Sequence, residues 1–222
     1  MGGAPRTARA RSPRILPLAA KLQVRARATP QDLFQLAMGK WATGERFDLG
    51  RMAQELGVSR ATVFRWCGSR ELLYGEILSA LFKAALEMAR EQAVGTGPGY
   101  IRDVTHLLLS ALTEDTSLRT FLKQDAAYAM GILMSRSSQV ERRSAELVRD
   151  DLEAQAREGH IRPAMKLDDL AYLIVRIGES FLYRDAITGD APDIESAVTA
   201  IHILVAAEKT PPGGARNGRR SR

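Results

Sequence analysis

"GVSRATVFRWCGSRELL", residues 57–73, is the stretch on which the reading of this chain turns. A helix buried on all sides does not carry Arg60, Arg65 and Arg70, and a plain solvent face does not carry Phe64 and Trp66. The segment opens with Gly57, which permits a sharp turn, and Val58, which fills it. Ser59 and Ser69 then stand where helix N-caps belong, ahead of two helical runs. Just upstream, Asp48 caps a short run whose Leu49, Met52, Ala53 and Leu56 follow a 3.6-residue period. Helix, glycine turn and serine-capped helix form the pattern of a helix-turn-helix. The small Ala53 allows close crossing, and the N-terminal side chains of the second helix are free to meet bases in a major groove. Two helices joined by a glycine turn also occur in ordinary bundles, so the surface chemistry matters. Arginines suit phosphates and guanine edges, and Thr62 suits a phosphate or a thymine methyl.

Working outward, helical periodicity runs through the body, with no period-two alternation long enough for a strand. "TPQD" at 29–32 starts a helix: Thr29 is the cap, Pro30 takes the first helical position, and Asp32 lies three residues past the cap. That helix runs to about 43, and the fourth, capped by Ser69, to about 93. After the break "GTGPG" at 95–99, helices are expected at about 100–113 and 117–134. Ser138 and Glu141 suggest a capping box that opens a helix to 158, stopped by Gly159. The most apolar helix spans about 168–187, and a last one reaches about 207. The expected fold is all-α with about nine helices.

Composition narrows the class. The chain has 222 residues, 45% of them hydrophobic, and a single cysteine, Cys67. That excludes an intrachain disulfide and suits a reducing cytoplasm. No apolar run approaches the length of a membrane span. The net charge of +6 is unevenly spread: twelve of the 32 basic residues lie in 1–29 and 209–222, which hold no acid. The remaining 20 face 26 acids, so the body is mildly acidic. Both tails are expected to be disordered, either as basic arms that scan DNA or as solvated ends.

At residues 47–73, "FDLGRMAQELGVSRATVFRWCGSRELL" resembles the helix-turn-helix of TetR-family transcriptional regulators. The nine-helix layout and the "GHIRP" break before a penultimate apolar helix extend the resemblance. Several details resemble the subgroup that represses quorum-signal lactone degradation, the QsdR-like members. The resemblance implies a DNA-binding domain at 30–76, then a helical domain at 77–208 that binds a ligand and dimerises through its last two helices. It implies a DNA-contacting set of Arg51, Ser59, Arg60, Thr62, Phe64, Arg65, Trp66 and Arg70. Phe64 stands for the family tyrosine, Trp66 for the following histidine and Arg70 for the phosphate-gripping lysine. The sequence departs at Phe64, which lacks the hydroxyl, and at Cys67 and Gly68, where Phe and Pro are usual.

The second domain offers a face of Tyr172, Arg176, Glu179 and Tyr183, spaced 4, 3, 4. It either lines a ligand cavity, with Phe82, Leu86, Tyr128 and Met134, or holds an Arg176–Glu179 pair at a subunit interface. Tyr128, Met130 and Met134 read equally as core. Leu173, Ile174, Ile177 and Phe181, with Ile194, Val198, Ile201 and Val205, are expected to form the dimer interface. The expected function is ligand-responsive repression by a homodimer on a palindromic operator, with an amphipathic effector such as an acyl chain or lactone. A nonspecific DNA-compacting protein is the alternative. An enzyme is disfavoured, since there is no nucleophile motif, phosphate loop or metal-ligand spacing, and no cofactor or metal is expected. Cys67 reads as a redox thiol or as a small buried hydrophobe. Asp150–Asp151 reads as a solvated face and Asp168–Asp169 as a helix N-terminus.

Overall fold

The computed structural model describes residues 28–207, so the expectations for the basic tails lie outside the described residues. Every regular element among the described residues is an α-helix. In chain order they are α1 Pro30–Ala42, α2 Leu49–Leu56, α3 Arg60–Cys67, α4 Arg70–Gln92, α5 Gly97–Glu114, α6 Thr116–Gln124, α7 Ala126–Leu133, α8 Val140–Arg157, α9 Leu167–Leu182, α10 Arg184–Ile187 and α11 Ile194–Ala206.

The helix starts follow side-chain chemistry. The Thr29 side chain accepts from the Asp32 amide at 3.3 Å while the Asp32 carboxylate accepts from the Thr29 amide at 2.7 Å, a closed capping box with Pro30 in the first turn. Asp48, Ser59 and Ser69 cap α2, α3 and α4 as expected. Gly57 has φ 67° and ψ 30°, the left-handed conformation that lets α2 stop and the chain turn at once into α3.

Among the described residues eleven helices stand where nine were expected, because two long runs divide. The run at 117–134 breaks at Asp125, which leaves helical backbone (φ −162°, ψ 86°) and accepts from the Tyr128 amide at 3.0 Å. A short carboxylate that can bond its own downstream amide competes with a continuous helix, and here it wins. The run at 168–187 ends at Leu182, after which α10 is a single turn. The expected capping box at Ser138 does not form. Ser138 is buried, and its hydroxyl donates to the carbonyls of Ile132 at 2.6 Å and Ser135 at 2.9 Å, closing the end of α7. Gln139 caps α8 instead, at φ 58°. α5 begins three residues earlier than expected, since the Gly97 amide donates to Gln155 of α8 at 2.6 Å.

Packing joins the head, α1–α3, to the rest. Phe47 stacks on Tyr74 of α4 at 4.0 Å, Tyr74 stacks on Phe121 of α6 at 4.9 Å, and Trp41 meets Phe121 at 5.3 Å. The Phe47 amide donates to the Tyr74 hydroxyl at 3.0 Å, giving that buried phenol a partner. One hydrophobic cluster runs from Leu33 through these rings to Val198. A second, of Ile101, Leu152, Leu170, Ile174, Ile201 and others, fills the far end where α8, α9 and α11 meet α5. α9 packs between α8 and α11, and α5 between α4 and α11. At Gly75 an added Cβ would lie 2.8 Å from the Ser138 carbonyl, so α4 and the turn before α8 touch backbone to backbone.

Candidate functional site

Two places gather chemistry: the outer face of α3 and a cavity in the helical body. In α3 only Val63 is buried, and its neighbours Met52 and Ala53 of α2 complete the contact that sets the helix crossing. The turn is held by the Val58 amide donating to the Ala53 carbonyl at 3.0 Å. The Ser59 side chain accepts from the Thr62 amide at 3.1 Å, and the two hydroxyls lie 2.9 Å apart. Thr62 is therefore half-buried and partly engaged at the helix start.

The cations on this face are available. Arg60 and Arg65 are exposed and, among the described residues, make no ion pair. Arg51 is also exposed, held loosely by Asp48 at 3.8 Å. Phe64 is 38% exposed, and the Arg60 guanidinium lies 5.3 Å from its ring centroid. That distance is within cation–π range, so the ring supports the guanidinium.

Two members of the expected set are turned otherwise. Trp66 is half-buried and packs on the core of the head, because its position on the helix shares the side of Val63. Arg70, expected to grip phosphate, lies 5.0 Å from the Tyr128 ring centroid and 3.4 Å from Glu71. The Tyr128 hydroxyl donates to Glu71 at 3.0 Å, and burial, with that bond second, pushes the phenol up to about 12. Cys67 is half-buried, and desolvation raises its thiol above the ordinary value, the opposite of an activated thiolate.

The body holds a cavity of about 60 Å³ with walls from α4, α5, α6, α7, α8, α9 and α11. Carbon dominates: Phe82 and Leu86 from α4, Leu108 and Leu112 from α5, Ile174 from α9 and Ile201 from α11 are representative. Of the expected ligand-binding residues, Phe82, Leu86, Glu179 and Tyr183 line it. Four do not. Tyr128 belongs to the head junction, T-shaped to Tyr74 at 6.0 Å. Met134 sits outside, its sulfur 2.9 Å from Arg176. Tyr172 is 47% exposed, and Arg176 stands at the edge, reaching in only to Glu179 at 2.7 Å. From α9 and its cap the cavity takes Ile174, Val175, Gly178, Glu179, Leu182 and Tyr183, so the stripe meets it only at its last two members.

Residues the pattern missed are Thr105, Ser144 and Asp151. Ser144 was legible: it lies four residues from both Val140 and Val148, inside the buried stripe of α8. Asp151, expected on a solvated face with Asp150, is instead half-buried against the cavity and paired with Arg90 at 2.8 Å. Burial raises its carboxyl, and the Arg90 hydrogen bond opposes that. Burial likewise raises Glu179 to about 7, with Arg176 opposing and Glu141 reinforcing.

The expected dimer residues separate in the same way. Ile174, Val198, Ile201 and Val205 are buried within the single chain, so they are core and not interface. Leu173, Ile177, Phe181 and Ile194 are half-buried. Ile203, 65% exposed on α11, was not among those expected.

A buried helix crossing that presents unpaired arginines, fused to a helical body around an apolar cavity, is the arrangement of a DNA-binding regulator. The family model described as "Tetracyclin repressor-like, C-terminal domain" matches residues 96–206, half of the chain. The chain belongs to the TetR family of helix-turn-helix transcriptional regulators. Among solved structures it is similar to the TetR-family transcriptional repressor QsdR of R. erythropolis, with 27% identity over 83% of this chain and 97% of that one, at a TM-score of 0.76. It is also similar to the TetR-family regulator PfmR of Thermus thermophilus, at 19% identity over 82% of this chain and 98% of that one, TM-score 0.39. The ketosteroid transcriptional regulator KstR2 of Mycobacterium tuberculosis matches at 15% identity over 85% and 98%, TM-score 0.38. No curated protein matches the chain.

Proposed function

We propose that this protein is a cytoplasmic, ligand-responsive repressor that binds a palindromic operator as a homodimer and leaves it when a small amphipathic effector enters the cavity. In this reading residues 30–76 are the DNA-binding domain and 77–208 the ligand-binding and dimerisation domain. The likeness to a protein described as a transcriptional repressor supports the sign of the regulation.

The observation that carries the reading is α4. It starts at Arg70 beside the recognition helix and lines the cavity with Leu78, Phe82 and Leu86 without interruption. At 1.5 Å per residue its 23 residues span about 35 Å, long enough to join both places mechanically. The cavity of about 60 Å³ is smaller than the roughly 150 Å³ that accommodates benzene in an apolar core. An effector of any size must therefore widen it, and widening moves α4 against α5, α8 and α9. A ligand that fits only the widened arrangement shifts the population by that differential affinity. Two recognition helices must lie one DNA turn apart to bind successive major grooves, so a modest swing of α4 ends binding. The exposed Tyr172 and Ile203, with half-buried Leu173, Ile177 and Phe181, supply the apolar face on α9 and α11 for pairing two copies.

The test is selection of bound fragments from random DNA, followed by affinity measurement on selected and scrambled duplexes at one salt concentration. Enrichment of an inverted repeat with half-sites about one turn apart is expected. Equal affinity for both duplexes would reduce the protein to a nonspecific DNA binder.

A further inference from the structure

The cavity walls are mostly carbon, and two of their polar side chains are already engaged: Thr105 donates to the Ile101 carbonyl at 2.7 Å and Asp151 pairs with Arg90 at 2.8 Å. Elsewhere in the lining α9 presents Glu179 and, one turn later, the chain presents Tyr183; α8 contributes Ser144. Glu179 is 8% exposed, and its Oε2 accepts from Arg176 Nη1 at 2.7 Å. Among the described residues, Oε1 of Glu179 and the hydroxyls of Tyr183 and Ser144 have no hydrogen-bond partner, although Tyr183 and Ser144 are both buried. Polar groups that line an apolar cavity without a protein partner are open to a ligand, and a ligand that matches them gains oriented hydrogen bonds on binding.

We infer that the effector is an uncharged amphiphile whose polar head donates a hydrogen bond to the free oxygen of Glu179 and accepts one from the Tyr183 hydroxyl, its apolar body lying against α4 and α5. The inference rests on the cavity being the effector site. A carboxylate head is disfavoured, since it meets Glu179 and the nearby Glu141, while the cations on that side, Arg176 and Arg119, are already paired with Glu179 and Asp185. An ammonium head loses its hydration while the charge of Glu179 is already met by Arg176. A head that only accepts, such as an ether, leaves the Glu179 oxygen opposed by another lone pair. A hydroxyl or an amide N–H fits.

The test uses the full chain at about pH 8.5, above the value of about 7 to which burial raises Glu179, so that its carboxyl is an acceptor. Four probes of similar size are compared in isothermal titration: octan-1-ol, its isomer methyl heptyl ether, octanoate and octylammonium. Octanol is expected to bind about tenfold or more tightly than the ether, as a site built to hydrogen-bond a hydroxyl discriminates against its absence. Octanoate and octylammonium are expected to bind more weakly than octanol. Glu179→Gln supplies an amide N–H that the ether oxygen accepts, so the alcohol-over-ether preference should shrink to about threefold or less. Tyr183→Phe removes the donor with little change of shape and should weaken octanol by about threefold or more. If Glu179→Gln does not fold, the Tyr183→Phe comparison stands alone. Binding of all four probes alike, an alcohol preference unchanged in Glu179→Gln, or octanol binding unchanged in Tyr183→Phe overturns the head-group assignment and leaves the cavity as the effector site. Binding of none of the four overturns both.

Discussion

Replacing Glu179 by Gln tests the burial of this carboxyl through its effect on stability with pH. Burial raises Glu179 from 4.5 to about 7, so between those values the folded chain holds a proton that the unfolded chain has lost. Stability therefore falls as pH rises through that interval, the reverse of an ordinary salt-bridged carboxylate, whose contribution is lost as pH falls. Taking about 1.36 kcal/mol per pH unit, the shift predicts a loss of about 2.5 kcal/mol between pH 5 and pH 8 for this group alone. Other carboxyls titrate too, Asp151 in the same sense and Asp32, Asp48 and Asp193 in the opposite one. The difference between wild type and Glu179→Gln cancels them. Urea unfolding followed by helical circular dichroism, at one protein concentration because a dimer's stability depends on it, gives that difference at each pH. With a slope of about 2 kcal/mol per molar urea, the midpoint of the variant relative to wild type should rise by about 1 M on going from pH 5 to pH 8. An offset that is the same at both pH values would mean that Glu179 is ionised throughout, and that Arg176 outweighs desolvation.

Arg65→Ala should weaken binding to selected and scrambled duplexes by similar factors and flatten the salt dependence by about one unit per subunit, read from affinity across a salt series. Trp66→Ala should lower the thermal midpoint, since its ring packs on the head, and a variant with wild-type stability would return Trp66 to the outer face. Gly75→Ala brings a methyl to 2.8 Å from the Ser138 carbonyl and should cost about 1–3 kcal/mol in urea unfolding; an unchanged midpoint would show that α4 and the turn before α8 part freely. If the chain pairs as proposed, wild type should elute as a dimer and Ile203→Asp as a monomer on a sizing column with its helical signal intact; a dimer that persists in the variant would place the interface elsewhere.

The sequence by itself determined what local chemistry controls. Thr29, Asp48, Ser59 and Ser69 cap their helices, and Gly57 turns α2 into α3, because each of these events is decided within four residues by a side chain and a nearby amide. The family and the outward arginines of α3 were legible for the same reason. What failed depended on partners distant along the chain. Ser138 looked like a cap until burial against α4 directed its hydroxyl to the carbonyls that end α7. Gly97 entered a helix because Gln155, 58 residues away, takes its amide. Periodicity identifies an apolar face without saying what covers it, so Ile174, Val198, Ile201 and Val205 read as interface although α5, α8, α9 and α11 already bury them against one another. The cavity is the extreme case. A common stripe on α9 placed Tyr172 with Tyr183, but only the packing of seven helices decided which end of that stripe faces empty space, and so put Glu179 and Tyr183 inside and Tyr172 in water.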